Sequence, residues 1–141
     1  MKFAPLLIAL ALTVSCAPAA PDIAVSDAWA RATAPGQSSG AVYATIANRG
    51  GGDRLVKVAS EAGTAMLHHR DNTDGISRMR MLTELAIPAD GKVDLAPGGT
   101  HVMLTGLAAP LAIGAEFPLT LHFAKAGPRI VKVEVVAAGE R

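Results

Sequence analysis

Methionine and histidine are concentrated in one stretch of this 141-residue chain. Residues 66–103 contain four of the five methionines and three of the four histidines. Thioether sulfur is a soft, neutral ligand that favours Cu(I), and imidazole also binds copper well. Zinc sites use cysteine, histidine or carboxylate, whereas calcium and magnesium require oxygen ligands. The combination therefore indicates a site for copper.

Two of these residues are spaced to share one face of a strand. His101 and Met103 are separated by Val102 alone, so in a strand both side chains point to one face and Val102 points to the other. Donors two residues apart along a strand lie about 6–7 Å from each other, which is close enough for both to reach one metal ion.

A second pair of donors flanks the turn sequence Asp74-Gly75. If that turn closes a hairpin, His68 and Met79 lie at comparable depth on paired strands. We therefore predict one site at one end of the fold. Its four metal ligands are His68, Met79, His101 and Met103.

The remaining donors of this stretch have other predicted roles. Met81 shares a face with Met79 and is a substitute ligand, but packing in the core is the better interpretation. Met66 shares a face with His68 and belongs to the core or to the wall of the site. His69 points away from the metal.

The segments that carry these residues have the pattern of strands. Short runs rich in Val, Leu and Ile alternate with Gly, Pro, Asn and Asp turns, and no stretch shows a sustained helical period. Nine strands in one domain predict an all-β fold, a single antiparallel β-sandwich with Greek-key connections. The predicted strands are Ile23–Ala32, Ala41–Ala47, Arg54–Ser60, Ala65–Arg70, Ile76–Thr83, Lys92–Leu95, His101–Leu104, Phe117–Ala124 and Ile130–Val136.

The start of the chain has the pattern of a secretory signal. A lysine at position 2 precedes an apolar stretch over 3–14 and then small residues. The only cysteine, Cys16, lies where the apolar stretch ends, as in a bacterial lipobox, although Thr13 stands where that pattern favours leucine. Ordinary cleavage after Ala19 or Ala20 is the alternative. We assign 1–21 to signal and tether and 22–138 to the domain, and we expect a periplasmic protein that contacts the membrane only through a lipid on Cys16.

Composition excludes several function classes. The formal net charge is +1 and no basic run is present, so nucleic acid is not an expected partner. A single cysteine excludes a thiol–disulfide site, and its place in the leader argues against a blue-copper centre, which needs a thiolate. No nucleophile elbow, carboxylate pair or Cys/His dyad indicates an enzyme. We expect a monomer without catalytic activity.

The spacing of the four ligands resembles that of the periplasmic copper chaperones of the PCu(A)C family. His68, Met79, His101 and Met103 are separated by ten, twenty-one and one residues. The resemblance extends over 23–136 and includes a motif near the start (Val25-Ser26-Asp27-Ala28-Trp29-Ala30-Arg31), the turn Asp74-Gly75, Pro97-Gly98-Gly99, and Leu104-Thr105-Gly106-Leu107. The chain departs from the family at Arg70, where methionine is frequent, and at His69, where the family is usually acidic.

The resemblance implies a cupredoxin-like β-sandwich that binds a Cu(I) ion and delivers it to the CuA site of cytochrome c oxidase. The expected partner is then the CuA-bearing oxidase subunit or another copper-transfer protein. Two alternatives remain open. One is a periplasmic storage or resistance protein that binds copper without delivering it, and the other is a metal-free, ligand-binding β-sandwich.

Overall fold

The computed structural model describes residues 16–141, and the predicted signal over 1–15 lies outside the described residues. That part of the chain folds into ten strands, and none of its segments is a helix that could cross a membrane. The strands are β1 (Ile23–Arg31), β2 (Ser39–Asn48), β3 (Asp53–Ser60), β4 (Thr64–Thr73), β5 (Ile76–Leu82), β6 (Leu85–Ile87), β7 (Lys92–Leu95), β8 (Thr100–Thr105), β9 (Glu116–Phe123) and β10 (Gly127–Val136).

The all-β prediction is confirmed, and each of the nine predicted strands corresponds to an observed one. The strand that the sequence pattern missed is β6, which has only three residues. A run of that length is too short to show the alternation by which strands are found.

The strands form one continuous hydrogen-bonded sheet in the order β5-β4-β8-β2-β1-β10-β9-β3-β6, with β7 paired to β2. The pairs are antiparallel except for β1 and β10, which run parallel. A purely antiparallel sheet was expected, and the parallel pair arises because the last strand comes back beside the first. In this order β8 lies between β2 and β4, so three strands that are distant in sequence become neighbours.

One cluster of buried apolar side chains joins the two halves of this sheet. It contains Leu55 of β3 and Leu121 of β9 together with Leu67 of β4 and Val102 of β8, and none of these four is more than 4% exposed. Strands β3 and β9 are far from β4 and β8 in hydrogen-bonding order, so the sheet must fold over on itself to bring these residues together. The result is the cupredoxin-like sandwich, whose interior lies between the two halves.

The other face of the β4-β8-β2-β1 half points away from that core. Because side chains alternate along each strand, the neighbours of Leu67 and Val102 in sequence lie on this outer face. His68, His101 and Met103 are among those neighbours. The fold therefore presents most of the predicted ligands on an outward surface of the sheet.

A buried carboxylate ties the start of β3 to the turn between β9 and β10. Asp53 is 6% exposed, and its oxygens accept hydrogen bonds from the backbone N–H groups of Arg54, Lys125 and Ala126 at 2.8–2.9 Å. Burial alone raises the pKa of Asp53, but these three donors and the Lys125 ammonium outweigh burial and hold that pKa below its ordinary value.

Replacing Asp53 by asparagine should lower the free energy of unfolding by about 1–3 kcal/mol, because at least one of the N–H donors, that of Ala126, would then face an amide NH₂ group. A lowered pKa means that the contribution is present above about pH 4 and is lost as the pH falls below it. Urea unfolding at pH 7 and pH 3 should show a smaller difference between wild type and Asp53→Asn at the lower pH. The exposed Glu84, which pairs with Arg54, supplies the control, since Glu84→Gln should cost less than about 1 kcal/mol.

Candidate metal centre

The two predicted histidine ligands lie directly opposite each other on neighbouring strands. His68 of β4 pairs with His101 of β8, and their ring centroids are 6.1 Å apart. Met81 of β5 is paired with His68 on its other side. Residues that oppose each other in an antiparallel pair project to the same face. Three side chains of types that can bind a metal, those of Met81, His68 and His101, therefore stand in one row across β5, β4 and β8.

Thioethers lie on both sides of this row. Met103 pairs with Met66, so both are two residues along their strands from the histidines and on the same face. Met79 lies two residues before Met81 on β5, on the other side of the row, and is paired with Arg70. All four predicted ligands thus occupy adjacent positions on one face of β5, β4 and β8.

His101 is held in one orientation by the backbone. Its ring is 5% exposed, and its Nδ1 atom lies 3.0 Å from the carbonyl oxygen of Gly99. A carbonyl oxygen only accepts hydrogen bonds, so Nδ1 carries the proton and Nε2 carries the free lone pair. An outer hydrogen bond of this kind is the usual support of a metal-binding imidazole.

The surroundings of His101 also favour its neutral form. Burial lowers the pKa of His101, the hydrogen bond to Gly99 works against this effect, and the positive charges of His68 and Arg70 lower the pKa further. Only the neutral ring can bind a metal, so a lowered pKa keeps His101 available as a ligand in mildly acidic solution.

His68 contains a buried polar atom that lacks a hydrogen bond. Its Nδ1 atom is shielded from solvent and finds no partner among residues 16–141. Leaving such an atom without a partner costs about 1–3 kcal/mol. The imidazole of His68 would be a ligand of a metal ion held among His68, His101 and the neighbouring thioethers. The residues present therefore fit a soft metal.

The hairpin confirms the predicted turn but corrects the pairing across it. Asp74 and Gly75 both have positive φ, 54° and 74°, as a two-residue hairpin turn requires. With that turn, Thr73 pairs with Ile76, so His68 comes opposite Met81 and not at the depth of Met79. The expected alignment was therefore wrong by two residues. Because a shift of two residues preserves the face, Met79 still projects to the same side as His68.

Met81 does not pack in the core, contrary to the sequence interpretation. It is 63% exposed, and Met79 is 41% exposed. The physical reason is that Met81 lies opposite His68 on the outward face of the sheet, and that β5 is an edge strand. His69, by contrast, lies on the opposite face as predicted, where its Nδ1 is 2.8 Å from Thr100 Oγ1.

An aromatic neighbourhood that sequence reasoning did not place at the site supports His101. Tyr43 lies 6.3 Å from the His101 ring and 4.6 Å from Trp29, between ring centroids. The Arg31 guanidinium covers both aromatic rings at 5.8–5.9 Å. Trp29 and Tyr43 form a small buried cluster with Val136 on this outer face, separate from the main core. Trp29 and Tyr43 lie in the first two predicted strands, and the antiparallel pairing of β1 with β2 in the structure sets them opposite each other.

Sequence comparison identifies relatives over most of the chain. The family model described as "Putative lipoprotein LpqE-like" matches residues 23–135. "Putative lipoprotein Lxx21020" from Leifsonia xyli subsp. xyli is 34% identical over 116 residues, which cover 80% of this chain and 69% of that protein. "Uncharacterized protein RP573" from Rickettsia prowazekii is 33% identical over 113 residues, covering 76% of this chain and 62% of the relative.

Solved structures with the same fold are 26–31% identical to this chain. The "Copper-bound PCuAC domain from PmoF2" has a TM-score of 0.70 and 26% identity over 84% of this chain and 95% of that domain. The "Apo PCuAC domain from PmoF1" has a TM-score of 0.69 and 31% identity, with 84% and 96% covered. The solution structure of "CuI-DR1885" from Deinococcus radiodurans has a TM-score of 0.64 and 29% identity, with 92% and 85% covered.

These matches cover the strands that carry the histidines and methionines described above. The family model alone spans 113 of the 141 residues, counted from 23 to 135. The chain belongs to the LpqE-like family, the family of the PCuAC domains.

Proposed function

We propose that this protein binds one Cu(I) ion through His68, Met79, His101 and Met103 and passes it to another copper protein. The observation that carries the proposal is the arrangement of two imidazoles facing each other across β4 and β8 with thioethers on either side. Two imidazoles and two thioethers are neutral ligands, and soft sulfur favours Cu(I) over the harder Cu(II). The copper-bound state of two structural relatives supports the same cargo.

The position of the ligands suits transfer. The site lies on an outward face of the sheet, and Met79 and Met81 are largely exposed. A partner protein can therefore approach the bound ion without any opening of the fold. Neutral thioethers are also weak donors, which an acceptor rich in thiolates can displace one at a time.

Loss of both thioether ligands should weaken Cu(I) binding far more than Cu(II) binding. For Met79→Leu combined with Met103→Leu, we expect the Cu(I) dissociation constant to rise by at least about 100-fold, since loss of outer-sphere support alone costs about 10–100-fold. Competition with a Cu(I) chelator under reducing conditions measures the change. Leucine replaces methionine with little change in volume, so the fold should persist. An unchanged Cu(I) affinity in the double variant would remove the proposed ligand set.

The acceptor that we propose is the CuA site of cytochrome c oxidase. Its cysteine thiolates hold copper more firmly than thioethers and neutral imidazoles do, so transfer runs downhill. Stopped-flow mixing of the Cu(I)-loaded protein with an apo CuA domain tests delivery against storage. Delivery predicts a transfer rate that rises with acceptor concentration. A transfer rate that is independent of acceptor concentration and equal to the rate of spontaneous copper loss would indicate a storage protein.

We further propose that the protein is exported and held at the membrane by a lipid on Cys16. Cys16 is exposed at the beginning of the described part of the chain, and the family and one relative are described as lipoproteins. The residues from Cys16 to Pro21 precede β1 and would serve as the tether. Cys16→Ser should move the protein from the membrane fraction to the soluble periplasmic fraction. A wild-type protein that is found entirely in the soluble fraction would contradict lipidation.

A further inference from the structure

Two methionines outside the proposed ligand set lie beside His68. Met81 is directly opposite His68 across the hairpin, and Met66 is two residues before His68 on the same face of β4. Side chains in such positions have Cβ atoms about 4.5–7 Å from each other. His68 is therefore flanked by thioethers on the side of the sheet edge as well as on the side of His101.

The same two methionines line one cleft at the edge of the sheet. The cleft has a volume of about 230 Å³ and lies where β5 leaves β4, with Val56 and Val58 of β3 on its far side. Pairing between β4 and β5 begins at Leu67 and Leu82, so the β4 backbone before Leu67 has no partner on this side. The cleft thus opens the two methionines that lie beside His68 to solvent.

Packing does not account for Met81. It is one of the most exposed large apolar side chains of the described residues, at 63%, and a hydrophobic side chain gains little stability there. Polar residues are the usual choice for the outward positions of an edge strand. A thioether at the entrance to a copper site has a chemical use that a leucine or a lysine would not have.

We propose that Met66 and Met81, together with His68, form an outer Cu(I)-holding position at this cleft, which the ion occupies while it enters and leaves the four-ligand site. The proposal rests on the proposed Cu(I)-binding function. His68 is shared by the two positions, so the ion moves without being released to solvent. On moving inward, the bonds from copper to the sulfurs of Met66 and Met81 break as bonds to the sulfurs of Met79 and Met103 form, and a bond to a nitrogen of His101 is added. On leaving, the same changes run in reverse. The bond to His68 is kept, copper remains Cu(I), and no proton or electron is exchanged.

Transfer kinetics separate an outer position from a primary ligand. The variant Met66→Leu with Met81→Leu keeps the volume of both side chains, and its equilibrium affinity for Cu(I) should stay within about twofold of wild type, the usual range for surface substitutions. Its rate of Cu(I) transfer to bicinchoninate, measured by stopped flow under reducing conditions, should fall about tenfold, a change of about 1.4 kcal/mol in the barrier. Ile76→Leu changes an exposed apolar residue on the other face of β5 and should leave both values unchanged.

A second measurement observes the methionines directly. With ¹³C-labelled methionine methyl groups, stepwise addition of Cu(I) should shift Met79 and Met103 to separate bound signals and should broaden Met66 and Met81 by exchange. An unchanged transfer rate in the double variant, or unperturbed Met66 and Met81 signals, would overturn the outer position while leaving the four-ligand site intact. A loss of affinity as large as that of the Met79 and Met103 variant would also overturn it. If the native chain failed to compete for Cu(I), both proposals would fall.

Discussion

Replacing His101 by alanine should raise the dissociation constant for Cu(I) by at least about 100-fold, because this change removes a ligand, and outer hydrogen-bond partners alone contribute about 10–100-fold. His101 is the ligand that the structure prepares most fully. Its Nδ1 is bonded to the Gly99 carbonyl, its ring is buried between His68 and Tyr43, and its pKa is lowered by that burial. Anaerobic competition with a Cu(I) chelator measures the effect.

The matched control for His101→Ala is His69→Ala. His69 is next to a ligand in sequence but lies on the opposite face, where it bonds Thr100. Its removal should change the Cu(I) affinity by less than about twofold, as expected for a residue that does not touch the site. Equal losses in the two variants would show that the effect comes from general damage to the sheet and not from coordination. Circular dichroism of both apoproteins checks that the strands persist.

Cu(I) affinity should fall as the pH is lowered from 7.5 to 5. The reason is that protons compete with copper for the imidazoles, and for one imidazole with the ordinary pKa of about 6.5 the loss is about 30-fold. The affinity decreases at lower pH because only the neutral imidazole is a ligand. Because the pKa of His101 is lowered, its protonation contributes less to this loss of affinity, and that contribution appears at a lower pH.

The variant Met79→Leu with Met103→Leu provides the comparison for this pH dependence. Thioethers do not titrate, so the double variant should bind more weakly at every pH but should keep the same slope. Chelator competition in buffers from pH 8 to pH 5 gives both curves. An affinity that stays flat across this range in the wild type would contradict the participation of histidine.

The sequence predicted the strands of the site well because their patterns are local. Alternation along β8 places His101 and Met103 on one face and Val102 in the core, which the structure confirms. The turn at Asp74 and Gly75 was equally readable, since only residues that tolerate positive φ suit both positions. These features depend on two to four neighbouring residues.

The pairing of strands was harder to predict because it depends on contacts between distant segments. Nothing local indicates that β8 lies between β4 and β2, or that β10 runs parallel to β1. The exposure of Met81 likewise follows from the position of β5 at the edge of the sheet. In the sequence, the same alternation is consistent with a strand whose apolar residues are covered.

The arrangement of partners around the histidines also depends on the tertiary fold. Tyr43 approaches His101 only because β2 pairs with β8, and the Gly99 carbonyl reaches Nδ1 only in the observed path before β8. The sequence could supply the ligand types and their spacing. It could not show which of the four methionines around His68 is nearest.

X-ray absorption of the protein loaded anaerobically with Cu(I) tests the proposed ligand set. We expect one tightly bound copper per chain, with both nitrogen and sulfur scatterers in its first coordination sphere. We also expect the sulfur contribution to decrease in Met79→Leu with Met103→Leu. A protein that retains no copper after desalting, or a spectrum with only nitrogen and oxygen scatterers, would contradict this ligand set.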